Sequence, residues 1–454
     1  MRRESSAPWS RLDNAAKIFP STVEGADTRV FRFSCELTDD IDPYVLQRAA
    51  ENAAVSYPNF NVIMKKGLFW YYLESCDLKP QVSEESLPVC AAIYEDDVRS
   101  LLYRITYYGK RINLEVFHVL ADGTGALMFL KTIVYRYIIY RYPELFGDCP
   151  PVLDDDASFS QKSDDSFRKY YDKSVKKRSV KMIKAFRLKS ERLENNKLLV
   201  IEGFASVKSV IAAAHKYETS LTVFLTALYI KALSMEMPLQ SRNRPIVINI
   251  PVNLRRYFPS ETAKNFFGMI SVQYNFTERS GEMEDIIAVV NEEFKKQLTK
   301  DNLAIRMNSL AALEHNPFVK IAPLPFKNEV LRIARKIGVK GETSVISNVG
   351  KVDMPKEFDG LIKRFSVFVS TQNIQLNICS YKDELQMGFT SSYAATDVQR
   401  NFFRSLTELG IDVTVRSNDS YAEKPLEGDD QQPHHRQRGN TPHPTDGRLP
   451  YGAA

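Results

Sequence analysis

The stretch EVFHVLADGTGALMF, residues 115–129, places one histidine, His118, after an alternating apolar run, with an aspartate four residues on and a glycine directly after it. Upstream, SLLYRITYYGKRINLEVFHV alternates like a hairpin turning near Gly109, which predicts His118 at a strand end. Downstream, TGALMFLKTIVYRYIIYRYPELF carries apolar residues at helical spacing over roughly five turns and stops near Pro143. Asp122 and Gly123 therefore fall at a strand-to-helix junction. The imidazole is presented by a corner rather than by a helix face.

The same mixture of elements extends in both directions. RVFRFSCELT alternates from Arg29 to Thr38, and DPYVLQRAAENAAVSYP opens on a capping aspartate and runs helically to a proline. NVIMKKGLFWYYLE reads as two short strands around Lys66 and Gly67. Residues 149–172, rich in Pro, Asp and Ser without apolar periodicity, read as a long connection. Beyond it come helices in SVKSVIAAAHKYE, SLTVFLTALYIKALSME and MEDIIAVVNEEFKKQLTK, and a last one near Thr396 to Leu409. Strands are expected in RPIVINIPV, GMISVQYNF, TSVISNV, NIQLNICSYK and ELQMGFTSS. Both halves mix helices with hairpin-forming strands, so the class is α/β or α+β with largely mixed sheets. At 454 residues the chain exceeds what one core usually supports. The expected division is an N-terminal lobe of residues 1–172, a C-terminal lobe of 173–416 and a tail of 417–454, whose Pro and Gly content and scarcity of aliphatic residues predict disorder. Two core-sized halves leave a cleft between them.

Composition narrows the chemistry. The 61 basic and 56 acidic residues give a net charge of only +5, too mild to argue for nucleic acid. The cysteines Cys35, Cys76, Cys90, Cys149 and Cys379 are scattered and form no CxxC, which suits reduced thiols in the cytoplasm better than a disulfide frame or a zinc site. The basic N-terminus lacks an apolar core, and no stretch approaches roughly 20 uncharged apolar residues, so neither a secretion signal nor a transmembrane segment is expected. There is no P-loop, no GxGxxG after a strand and no HExxH or Cys/His spacing, so no metal and no bound cofactor are expected. Of the six histidines, His434, His435 and His443 lie in the tail. His215, on an expected helix, and His315, in a turn-like stretch, have no acid, serine or cysteine at triad spacing. His118 remains.

A lone histidine beside apolar residues is most often a core residue with its ring nitrogens satisfied. The strand end and the following turn aim this one outward instead. A neutral imidazole, with an ordinary pKa near roughly 6.5, can take a proton from an attacking hydroxyl or amine and return it to a leaving group. That suits acyl transfer.

His118, Asp122 and Gly123 match the HxxxDG motif of the chloramphenicol acetyltransferase-like superfamily, which includes condensation domains, plant BAHD acyltransferases and alcohol acetyltransferases. WSRLDNAAKIFPS, PVNLRRYFPSETAKNFFG at 251–268 and SNVG at 347–350 extend the resemblance, in similar order and spacing, over most of residues 9–415. The chain most resembles bacterial alcohol acetyltransferase-like members. The resemblance implies two similar lobes with mixed sheets flanked by helices and an active-site tunnel between them. It also implies acyl-CoA as co-substrate, a small-molecule alcohol or amine as acceptor, and His118 as general base. Asp122 and Gly123 are then structural, with Arg255 or Arg256 as the aspartate's candidate partner.

Departures from the family narrow the reading. Peptide-forming condensation domains carry a second histidine where this chain has Phe117, and no carrier-protein domain is evident, which favours a free-standing enzyme using acyl-CoA. The BAHD DFGWG motif is missing, with NFFG in roughly that region. Substrate-binding candidates are Asn265 and Gly268 on the acceptor side, and Ser347 and Asn348 toward the thioester oxygen or pantetheine arm. Gln372 stands before Asn373, Gln375 and Asn377, which alternate as a polar channel face. Each of these also reads as an ordinary loop, turn or exposed strand. The basic run Lys173–Lys189 is either a solvated face or a site for the phosphates of coenzyme A. Two alternatives stay open: a condensation-type enzyme served by a carrier-protein thioester, and a non-catalytic scaffold of the same fold.

Overall fold

The hairpin Tyr103–Tyr108 and Arg111–Phe117 closes across Gly109 and Lys110, with Tyr108 paired to Arg111. Its second strand is central in a five-stranded sheet of order Ile362–Val369, Val30–Leu37, Arg111–Phe117, Tyr103–Tyr108, Val82–Glu84. Only the last pairing is parallel. The computed structural model describes residues 9–147, 149–153, 165–172, 175, 183–315 and 321–418, the side chains of 310–315 excepted. The expected tail past Asn418 and most of the connection and basic run between 154 and 182 lie outside these residues.

Against the sheet lies the helix Gly123–Arg141, which buries Ala126, Phe129, Leu130, Ile133, Val134 and Tyr137 at three- and four-residue spacing. It packs on the helix Pro43–Val55, whose Asp42 cap accepts from the N–H groups of Tyr44 and Val45 while Pro43 occupies the first turn. A small sheet of Trp9–Arg11, Tyr71–Ser75 and Val62–Lys66 stands beside them.

The second half is built on a seven-stranded mixed sheet of order Phe267–Tyr274, Ile246–Asn253, Ser344–Val352, Ile374–Tyr381, Glu384–Ser391, Leu199–Ser206, Thr414–Ser417. Ser344–Val352 runs parallel to both its neighbours, and the remaining pairs are antiparallel. The helix Leu221–Met235 is buried almost all round because Met283–Gln297 and Asp397–Glu408 pack against it. Each half has its own apolar core. Mixed sheets flanked by helices in two lobes are as the sequence predicts.

One strand crosses between the halves. Ile362–Val369 comes late in the chain yet pairs antiparallel with Val30–Leu37, Phe365 opposite Cys35, so a stretch assigned by sequence to the second lobe completes the first sheet. It is buried on both faces, which removes the alternation that would have marked it. Among the described residues no helix is long and apolar enough to cross a membrane. All five cysteines are free thiols.

Candidate active site

The corner at His118 forms as its sequence predicts. The His118 N–H donates to the carbonyl of Arg29 at 2.8 Å, extending the sheet pairing by one bond, and Leu120 N–H closes a turn onto the Phe117 carbonyl at 2.9 Å. Asp122 then caps the helix Gly123–Arg141 by accepting from Gly125 N–H at 3.0 Å. Phe117 is buried in the core and stacks on Tyr94.

The imidazole sits among aromatic rings. Phe19 stacks on it at 4.5 Å between centroids, Phe31 meets it edge-on at 4.9 Å, and Phe267 lies at 5.6 Å. Its Nδ1 is 3.0 Å from Asn265 Oδ1. Asn265 Nδ2 donates to the His118 carbonyl at 3.1 Å and to Asp13 Oδ2 at 3.0 Å, so Oδ1 is the atom facing the ring. An amide oxygen only accepts, so Nδ1 carries the proton and Nε2 keeps its lone pair. Burial pushes the imidazole below its ordinary pKa, against the pull of the Asp122 charge, its own carbonyl and Asn265. The ring is therefore neutral at pH 7, in the tautomer a general base at Nε2 needs. Asp13 completes the chain behind it. Burial raises its carboxyl to about 7, opposed by hydrogen bonds from Ala16 N–H and Asn265.

Asp122 faces away from the ring and is consumed by structure. Arg255 grips it with two guanidinium nitrogens, at 2.7 and 3.2 Å, and Phe266 N–H adds a bond at 2.8 Å. The same guanidinium donates to the carbonyls of Thr262 at 2.8 Å and Lys264 at 2.7 Å. One arginine thus fastens loop 262–266, which carries Asn265, to the helix start that follows His118. The sequence left Arg255 and Arg256 both open as this partner; Arg256 instead lines the adjoining cavity.

Two cavities, of about 400 Å³ and about 610 Å³, both reach His118. They share His118, Pro251, Phe267, Val369 and Gln375, so the ring stands in the wall where they meet. Ser347 and Asn348 line the smaller one. Asn348 is held there by donating to Thr222 Oγ1 at 2.9 Å and accepting from Gly350 N–H at 2.9 Å. Gly350 has φ of +92° at a register shift in its strand, a conformation that favours glycine.

Gln372 lines the larger cavity, where its side chain is bound to the Glu24 carbonyl and to Arg192. Arg29, Arg187, Arg192 and Lys336 surround the same space. Gln375 reaches both cavities, whereas Asn377 is buried within the sheet.

Other candidates fall elsewhere. Asn265 and Gly268 line neither cavity: Asn265 is buried behind the ring, and Gly268 packs on Leu254. Gly123 borders the smaller cavity, with space for a side-chain carbon 3.8 Å from Phe33. The glycine that geometry demands is Gly125, where such a carbon would stand 1.9 Å from the Ala263 carbonyl. His215 is exposed on the helix Val207–Lys216, and the His315 side chain lies outside the described residues. Among the described residues no cluster of three or more His, Cys, Asp or Glu is placed to hold a metal ion.

Sequence reasoning gave Asp13 and Gly125 no role. Both sit in quoted stretches, WSRLDNAAKIFPS and DGTG, but nothing local shows that they meet loop 262–266 more than a hundred residues on.

No known family model matches the chain, and no curated protein matches it in sequence. Solved structures do match it in shape. TRI101 of F. graminearum, complexed with coenzyme A and T-2 mycotoxin, is 11% identical with a TM-score of 0.62, over 90% of this chain and 100% of that one. Polyketide synthase associated protein 5 from Mycobacterium tuberculosis is 15% identical with a TM-score of 0.59, over 89% and 98%. The starter condensation domain of rhizomide synthetase RzmA, in complex with C8-CoA and Leu-SNAC, is 12% identical with a TM-score of 0.56, over 88% and 94%. The chain therefore shares its two-lobed fold of mixed sheets flanked by helices with these acetyltransferase and condensation-domain structures.

Proposed function

We propose that the protein is an acyltransferase that moves an acyl group, acetyl in the first instance, from acyl-CoA to a small-molecule alcohol, with His118 as general base. The observation that carries this reading is the forced tautomer: Asn265 holds the proton on Nδ1, so Nε2 is the basic nitrogen of a ring that lines both cavities. Each cavity can then take one of the two substrates. As the acceptor oxygen attacks the thioester carbonyl, its proton passes to Nε2; as the carbon–sulfur bond breaks, that proton passes to the leaving thiolate. Asn265 and Asp13 hold the ring at its angle, Arg255 holds Asn265 through its loop, and the surrounding phenylalanines keep the imidazole uncharged. Neighbours of this fold with coenzyme A or C8-CoA bound support the donor class.

The test follows free thiol release and ester mass from short and long acyl-CoAs over a panel of alcohols and amines. Turnover of free acyl-CoA is expected and excludes dependence on a carrier protein; no release with any pair supports the scaffold reading. A companion variant checks the positioning chain. Asn265→Ala removes one aligned hydrogen bond to the ring and should lower kcat roughly tenfold, the rate equivalent of about 1.4 kcal/mol, with KM little changed. Equal kcat in the two proteins would dismiss Asn265 as a positioning residue.

A further inference from the structure

The helix Leu324–Gly338 is turned inside out. Its inward side is largely polar: Lys327 Nζ donates to the Phe69 carbonyl at 2.8 Å and lies 3.7 Å above the Trp70 ring, Asn328 Nδ2 reaches the Tyr71 hydroxyl at 3.1 Å, and Arg335 pairs with the buried Asp27. Its outward side carries Phe326, Val330, Ile333 and Ile337, which are 65%, 49%, 55% and 40% exposed. Spacings of four, three and four residues align these four in one stripe. A surface helix ordinarily turns such a stripe to the core. At its N-terminal end the loop bearing the exposed Leu68 and Phe69 is fastened to the helix, Leu324 N–H donating to the Leu68 carbonyl at 2.9 Å. Exposed apolar residues grouped this way mark an interaction surface.

Charge beside the stripe chooses the occupant. Arg332 and Lys336 are exposed one turn apart along its flank, and Lys340 is exposed just past the helix end. Glu329, paired with Arg332, is the acid among them. A second copy would bring the same cations against these. An anionic bilayer complements both features, taking the apolar side chains at the acyl boundary and the lysines at the headgroup phosphates. We propose that this helix docks the protein on anionic membrane surfaces through Phe326, Val330, Ile333 and Ile337, with Lys336 and Lys340 at the headgroups. Arg335, Lys336 and Val339 also line the larger cavity, so the passage to His118 opens beside the docked face. Delivery of a lipophilic substrate from the bilayer along this route rests on the acyl-transfer reading; docking does not.

Flotation of the full chain with vesicles measures docking without turnover. Vesicles of phosphatidylcholine alone are compared with vesicles containing about 30 mol % phosphatidylglycerol. The parent should bind the anionic vesicles, Val330→Asp with Ile333→Asp should weaken binding by at least about tenfold, and Lys336→Glu with Lys340→Glu by about tenfold. All four positions are exposed, so unchanged circular dichroism is expected. The proposal is overturned if the parent binds neither vesicle, if it binds both compositions alike, or if the aspartate variant binds as tightly as the parent. A parent dimer that dissolves in the aspartate variant, with no vesicle binding, would assign the stripe to a second copy instead.

Discussion

His118→Ala should lose about 10²–10⁴ in turnover, the usual worth of a positioned general base, while the protein stays folded. The ring occupies a wall between two existing cavities, so its removal enlarges an open passage and leaves no sealed void in a core. The packing lost is that with Phe19, Phe31 and Phe267. Substrate affinity should change little, because the proton transfer is made in the transition state rather than in the bound ground state. Thiol release, with thermal unfolding as the control for folding, reads both expectations. Equal rates in parent and variant would remove the assignment of His118 as base.

Arg255→Met should be strongly destabilising, costing about 3–5 kcal/mol, because it strands the buried Asp122 carboxylate without its cation. The carbonyls of Thr262 and Lys264 lose their donor at the same time. The loop they belong to carries Asn265, so activity should fall with stability. Arg255→Lys should recover only part of both, since a single ammonium cannot reproduce a planar fork that serves a carboxylate and two carbonyls. Adding Asp122→Asn to Arg255→Met should cost less than the sum of the two changes, because the stranded charge is gone. Urea denaturation of the single and double variants checks this. An Arg255→Met protein as stable as the parent would mean that the pair does not fasten the loop.

What was legible in the sequence was local. The alternation up to Phe117 and the helical spacing after Gly123 place His118 at a corner without further help. The DGTG stretch signals a capped helix start, and Asp122 does cap it. Long-range partnerships were not legible. Asn265 looked like a tunnel residue because an Asn in a glycine-bearing loop has many uses; its place behind the imidazole depends on Arg255 folding that loop onto Asp122. The strand Ile362–Val369 was hidden because a strand buried on both faces does not alternate. The helix Leu324–Gly338 carries a strong stripe, yet periodicity states only that one side is apolar. That this side faces outward follows from Lys327, Asn328 and Arg335 finding partners inward.

The acyl-transfer reading needs a neutral imidazole with its proton on Nδ1, and nitrogen-15 NMR of labelled protein observes this atom by atom, the His118 signals being assigned by difference from a His118→Gln sample. The account predicts a protonated Nδ1 and a bare Nε2 at pH 7, with titration only below the ordinary value of about 6.5. With the folded pKa lowered, the unfolded chain takes up the proton first, so stability from this residue is lost as pH falls below about 6.5. Activity should fall in the same direction as Nε2 becomes protonated. A proton resident on Nε2 at pH 7, or a ring already charged there, would contradict the account.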